Sequence, residues 1–538
     1  MEHSGTTISP TSPLRFRIDG TVVSVRLPRH RIRRFFSKPS CPIPPAMLEY
    51  RLRPRSIGEG MDLETLEHIA RQLDPDAPQR ASLASYVMEY AERHWSGVEG
   101  ALAFVQQSHP GAGLAEHAFR EEGRPISEVL SILEREVDTP GAHGGSGRHF
   151  AFIPPSTQIA GALGDYLAAS TNKYAGYFFA GPGAVRMENL LLHWMARELG
   201  FPQGTHGNLP AGGSLAHIIG ICAAREAAGF KAADTPKICV YLSDQAHHCI
   251  AKALRVAGLG EARLRVIASD DHFRMRMDRL QAAIQQDVAA GNRPWLLAPT
   301  AGTTNSGAVD PLEECAHIAA RYGLWMHTDG AYGAFFALCE EGKQRLVGQH
   351  QSDSLVADPH KGLFCPFGIG AVLVKHLDPL RRAHAYAADY LPTPPDDLNE
   401  LSPTESTLEF SKHARALRLW LPLMLFGVSP FRAALEETLR LAQYAWEKLQ
   451  SLKGFDPVAA PQLSVMAFRL LPPSGDPDAF QQDLLANLYR EGRVFLSSTR
   501  LGDRLCLRLA VLALRTHREH VDEAIDCLAR AYKQAITN

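Results

Sequence analysis

The chain has 538 residues, with 56 Lys and Arg against 58 Asp and Glu, so it is long enough for several domains and carries a formal net charge of −2. That balance offers no basic surface for nucleic acid, and no apolar run approaches the roughly 20 residues of a membrane helix. The nine cysteines are scattered and include no C-x-x-C pair, which fits reduced thiols in a cytoplasmic protein and argues against a disulfide framework or a zinc site.

Residues 1–58 stand apart. They are rich in Ser, Thr and Pro, basic at Arg15, Arg17, Arg26, Arg29, Arg31, Arg33, Arg34 and Lys38, and acidic only at Glu2, Asp19 and Glu49. An Arg-rich, acid-poor start fits a transit peptide. Pro10, Pro13 and Pro28 break any long amphipathic helix, so a disordered extension, or a start codon placed too far upstream, is the favoured reading. From Met61 to Gln107 the period is helical, with Leu63, Leu66, Ile69 and Leu73 at three- and four-residue spacing. A Gly-rich break follows at 141–147.

From Phe150 the pattern alternates between strands and helices. Strands are predicted at 238–242, 295–298, 324–328, 354–357 and 370–374, separated mostly by helical segments, which argues for a mainly parallel sheet. The last strand follows Lys361 too closely for a helical crossover and is predicted antiparallel. Residues 388–407, rich in Pro, Asp and Ser, read as a loop over a site. Helices are predicted at 417–425 and 431–449. After them come a strand at 463–470, a helix at 480–490, strands at 493–496 and 505–510, and a final helix from His517. The chain thus divides into a basic extension (1–58), a helical arm (59–147), a large α/β domain (148–428) and a small α+β domain (429–538).

The residues with chemical potential sit at strand ends. Asp329 follows one short strand, and Asp358-Pro359-His360-Lys361 follows another. Ligands collect at the carboxyl ends of strands in open α/β sheets, so a carboxylate and a lysine should face one crevice. A lysine between His360 and Gly362-Leu363 is predicted to be desolvated, which lowers an amine's pKa and suits a Schiff-base lysine. Gly212-Gly213-Ser214 precedes an apolar helix over 215–225, where exposed amides and a hydroxyl suit a phosphate. His247, His248 and Cys249 follow a strand, but adjacent side chains diverge and no second ligand cluster stands at useful spacing, so no metal is expected. Pro299 to Thr304 is a Thr-rich turn ending another strand.

In this order, these segments resemble the pyridoxal-phosphate-dependent group II decarboxylases, the family of aromatic-amino-acid and glutamate decarboxylases. The resemblance runs from about Pro154 to the C-terminus. It implies a fold-type I α/β enzyme with pyridoxal 5′-phosphate held covalently by Lys361 and its ring nitrogen paired with Asp329. It further implies His247 stacked on one ring face, Ala331 on the other, the phosphate on Gly213 and Ser214 with help from His360, and Thr304 near the ring and the substrate carboxylate. Tyr390 falls where the aromatic branch keeps the acid that protonates the carbon left by carbon dioxide. The helical arm is expected to pack on the partner subunit of a homodimer. Lys412 and Arg415 match a basic stretch after the loop and stay outside the catalytic set.

Three departures weigh against an aromatic substrate: Leu215 stands for an acidic residue, Asp358 for an asparagine and Gly362 for a tryptophan. The expected reaction is decarboxylation of an L-amino acid to its amine. Oxidative decarboxylation to an aldehyde, transamination, or a catalytically silent scaffold are the alternatives, and intact Lys361, Asp329, His247 and Tyr390 weigh against silence.

Overall fold

The protein is represented by a computed structural model that describes residues 14–18, 21–25, 61–153, 157–386 and 397–537. Tyr390 and most of the basic extension lie outside the described residues. Within that extension β1 (Leu14–Ile18) and β2 (Thr21–Val25) pair antiparallel. The helical arm appears as Leu63–Ala70, capped by Asp62 through a 2.8 Å bond from the Thr65 amide, and the 21-residue helix Ala77–Gly97. A short antiparallel pair, β3 (Phe104–Val105) and β4 (Gly141–Ala142), follows.

The central sheet has seven strands: β5 (His206–Asn208), β6 (Ile238–Ser243), β7 (Arg263–Ile267), β8 (Arg293–Ala298), β9 (Trp325–Asp329), β10 (Ser354–Ala357) and β11 (Ala371–Val374), in the order β5-β11-β10-β9-β8-β6-β7. From β10 through β7 every neighbouring pair is parallel. β11 is antiparallel to both β10 and β5, as its closeness to Lys361 requires. β6, β10 and β11 are buried at every position, the pattern of strands covered on both faces by helices. Two strands of this sheet escaped the sequence. β5 is only three residues long, and β7 is an edge strand whose Arg263 and partly exposed Arg265 interrupt the apolar pattern while blunting the edge.

A second sheet is antiparallel throughout: β12 (Phe455–Ala459), β13 (Val465–Leu470), β14 (Ser497–Leu501) and β15 (Arg504–Ala510), in the order β12-β13-β15-β14. Helices Ser429–Leu449, Pro477–Glu491 and Arg518–Thr537 share a core with it that includes Phe150, Phe468, Leu484 and Leu528. The strand predicted at 493–496 is not one. Val494 and Leu496 are buried in that core and imitate a strand by apolarity, but the ladder with β15 begins at Ser497, and Phe495 makes only an isolated bridge to His149.

Lys412 and Arg415 have structural work. Lys412 is fully buried, pairs with Glu188 of helix Pro182–Glu198 and donates to Asn208 Oδ1 on β5 at 2.8 Å. Arg415 forks onto Glu409 through two 2.7 Å bonds. Buried charges persist only when paired in this way.

Gly362 explains one departure from the family pattern. A Cβ there would stand 2.8 Å from Phe335 Cβ and 3.1 Å from its ring, and Phe335 is a fully buried core residue. The turn Pro359–Gly362 that carries Lys361 therefore lies directly on that side chain. Gly362→Ala should overpack this contact and cost about 1–3 kcal/mol, read as a lowered melting temperature; an unchanged melting temperature contradicts the close packing.

Candidate active site

β6, β8, β9 and β10 are parallel, so their carboxyl ends open on the same side, around a cavity of about 410 Å³. Gly213, Ser214, His247, Thr304, Asp329, Ala331, His360 and Lys361 all line it. Every predicted site residue except Tyr390, which lies outside the described residues, is therefore brought to one place. A larger cleft of about 980 Å³, between the helices Pro182–Glu198 and Leu417–Phe426, gathers none of them, and its ionisable lining groups are His193, Arg197 and Asp397.

Asp329 ends β9 beside Val356 of β10. Its Oδ1 accepts from the Ala331 amide at 3.1 Å and lies 3.5 Å from His217 Nε2, while Oδ2 has no partner among the described residues. Burial pushes this carboxyl up, but His217, then Lys361 and the Ala331 amide, hold it well below the usual carboxylate range. Asp329 is thus a buried anion with one oxygen to spare.

Lys361 departs from expectation. Burial pulls its ammonium down, as predicted, but Asp358 Oδ2 stands 2.9 Å from Nζ, and Asp358 with Asp329 more than restores the charge. Its pKa therefore ends above the ordinary lysine value. The sequence placed Asp358 among the departures without assigning it a role. It is 1% exposed, with Oδ1 lacking any hydrogen bond.

Helix Gly213–Ala228 begins at the cavity with no side chain capping its first turn, which leaves amides free for an anion. A Cβ on Gly213 would lie 2.9 Å from Asp358 Oδ2 and 3.4 Å from Ala331 Cβ, so a side chain there would displace the Asp358 carboxylate. His360 Nδ1 donates to the Ile369 carbonyl at 2.6 Å, and burial lowers its pKa. His247 is half-buried, and burial lowers its pKa too, favouring a neutral ring. The second sheet reaches in: Arg508 of β15 donates to the Thr304 carbonyl at 2.7 Å, and Tyr332 meets Ser464 through hydroxyls 2.7 Å apart.

His217 and Cys249 also line the cavity, and with Asp329 their ligand-type atoms lie within 4.8 Å of one another. Neither stands out in the sequence as a site residue. His217 was concealed inside an apolar helical run, although a lone histidine on such a face demands a buried partner.

Residues 109–471 match the profile of the pyridoxal-dependent decarboxylase conserved domain. The chain belongs to this family. It is 32% identical to aromatic-L-amino-acid decarboxylase of Bacillus atrophaeus over 406 residues, 74% of this chain and 84% of that protein. It is 28% identical to phenylacetaldehyde synthase of Arabidopsis thaliana over 467 residues, 84% of this chain and 95% of the relative. Catharanthus roseus tryptophan decarboxylase, solved in complex with L-tryptophan, superimposes with a TM-score of 0.79 at 26% identity, covering 86% of this chain and 99% of the other. The protein is thus a fold-type I, pyridoxal 5′-phosphate-dependent carboxy-lyase that converts an amino acid to its amine and carbon dioxide. The cavity suits that cofactor: an uncapped helix start for a phosphate, an amine for an aldehyde, and a carboxylate oxygen without a partner for a ring N–H.

The Asp358–Lys361 pair generates a pH prediction. Only the neutral amine attacks an aldehyde, so attack by Lys361 on free pyridoxal should slow as pH falls through its raised pKa. Asp358→Asn removes the carboxylate that holds the proton. Adduct formation followed by absorbance should then be faster at neutral pH, with its profile displaced to lower pH. An unmoved profile contradicts the pairing.

Proposed function

We propose that the cavity residues divide the decarboxylation among them as follows. When bound, pyridoxal phosphate supplies an aldehyde for the substrate amine and a ring that takes up the electron pair left by carbon dioxide. Gly213 and Ser214 bind the phosphate through the helix start, with His360 beside them. Lys361 anchors the aldehyde carbon until the substrate amine displaces it, and Asp358 then receives the freed ammonium. Asp329 holds a proton at the ring nitrogen. His247 and Ala331 pack the two ring faces, and Thr304, braced by Arg508, orients the ring and the substrate carboxylate. Tyr390 delivers the proton to the substrate carbon. The observation that carries this reading is the convergence of Lys361 and Asp329 in one cavity with an uncapped helix start.

We further infer that the enzyme works as a homodimer. Helices Ile159–Thr171 and Leu417–Phe426 pack together, yet Tyr166, Leu167, Met424, Leu425 and Phe426 are exposed, and monomers rarely leave so much large apolar surface open. Light scattering should return twice the mass of one chain. The domain division at 148–428 and 429–538 is supported by the separate central and C-terminal sheets. No helix among the described residues is long and apolar enough to cross a membrane, and the free, mostly buried cysteines favour a reducing compartment such as the cytoplasm. The substrate is a small-molecule amino acid. An aromatic one is favoured by the named relatives.

A screen of amino acids for released carbon dioxide tests the reaction, and Lys361→Ala should abolish turnover in it. Tyr390→Phe separates decarboxylation from its oxidative alternative. Carbon dioxide should still be lost, amine release should slow by roughly 10²–10⁴-fold, and aldehyde with peroxide should appear instead. Unchanged amine production without aldehyde would move the proton-donor role elsewhere.

A further inference from the structure

Helix Gly213–Ala228 buries a histidine that the chemistry above leaves unused. His217 lies one turn beyond the helix start and has no exposed surface. Its Nε2 is 3.5 Å from Asp329 Oδ1, and its Nδ1 is 2.9 Å from His327 Nε2. His327 is itself fully buried, and its Nδ1 is 2.7 Å from Ser354 Oγ. The Trp325 indole donates to the same hydroxyl at 2.8 Å.

This chain of contacts is built into the fold. Trp325, His327 and Asp329 alternate along β9 and so share one face of the sheet. Ser354 stands directly opposite His327 in the β9–β10 register. Gly220, one turn after His217, makes room for the second ring: a Cβ there would lie 2.6 Å from His327 Cε1.

Hydrogen-bond capacities give the chain a direction. An ionised carboxylate only accepts, so His217 presents Nε2–H to Asp329 as an ion pair at 3.5 Å, and when protonated it also donates Nδ1–H to His327 Nε2. The two imidazoles do not share a positive charge. Burial and the neighbouring His217 pull the pKa of His327 down to about 3. For His217, Asp329 overcomes the cost of burial and holds its pKa up at about 10, with Cys249 of the next helix helping. The effect is mutual: among the groups that keep the Asp329 carboxyl ionised against burial, His217 comes first, ahead of Lys361.

We propose that His217 is a positioning residue for the cofactor ring: backed by His327 and Ser354, it engages Oδ1 of Asp329 and reserves Oδ2 for the ring nitrogen. This rests on the reading that Asp329 pairs with that nitrogen. His217 acts through Asp329 and takes no part in bond making.

The test measures binding, without turnover. Apoprotein is titrated by calorimetry with pyridoxamine 5′-phosphate, which cannot bond to Lys361, and with its 1-deaza analogue, which carries C–H in place of the ring nitrogen. The wild type should prefer the parent ligand, and Asp329→Asn should erase the preference. His217→Phe should cut the preference by about tenfold, the scale of one hydrogen bond to a charged group, while leaving affinity for the deaza analogue unchanged. His217→Gln, which retains an N–H, should restore most of it. If His217→Phe does not fold, His217→Asn, too short to reach Asp329, is read in the same way. Equal weakening of both ligands means a merely structural histidine and overturns the proposal. So does an intact preference in His217→Phe or His217→Asn when Asp329→Asn erases it. If Asp329→Asn leaves the preference intact, the reading of Asp329 falls, and the proposal with it.

Discussion

A carboxylate buried at the end of a central parallel strand is the constraint on which this site depends. Stripped of water, the Asp329 anion is costly unless donors and positive charge surround it. The protein meets that need from three directions: the Ala331 amide on the following turn, His217 on the helix crossing β9, and Lys361 after the neighbouring strand. Each comes from a different chain segment, so ionisation of one group requires the whole α/β unit to be assembled. The oxygen left without a partner among the described residues is then a fixed acceptor in the cavity lining, not a mobile surface charge.

The sheet order explains why residues so distant in sequence meet. With β9 between β8 and β10, the turns after all three strands, and after β6, open on the same side. The antiparallel sheet contributes by bracing: Arg508 grips the Thr304 carbonyl, and Tyr332 is locked to Ser464. Arg508 is nearly fully buried, and burial lowers its pKa to about 10, so its three carbonyl and hydroxyl acceptors matter: Thr304, Phe152 and Ser497. Displacing the second sheet should therefore be felt at the cavity.

Much of this was legible in the sequence, for identifiable reasons. Asp329 and Lys361 stand immediately after short apolar runs, and strand ends in such sheets point ligand groups to a common edge. Gly213 and Ser214 announce themselves by preceding an apolar helix. What stayed hidden depends on three-dimensional pairing. His217 and His327 sit inside apolar periodic segments, where a histidine reads as a satisfied core residue, and only the β9–β10 register and the crossing of helix Gly213–Ala228 join them. The charge on Lys361 was misjudged because desolvation was weighed without Asp358, three residues earlier and 2.9 Å away. β5 and β7 were missed because one is too short and the other too charged to show an apolar alternation, and 493–496 was taken for a strand because core apolarity alone does not reveal a ladder.

The central claim is that the cofactor is anchored at Lys361 in the cavity that holds Asp329. The most direct measurement is borohydride reduction of the protein purified with its cofactor, followed by peptide mass spectrometry. A phosphopyridoxyl group confined to Lys361 is the predicted result. The same group on another lysine, with Lys361 unmodified, would contradict the account.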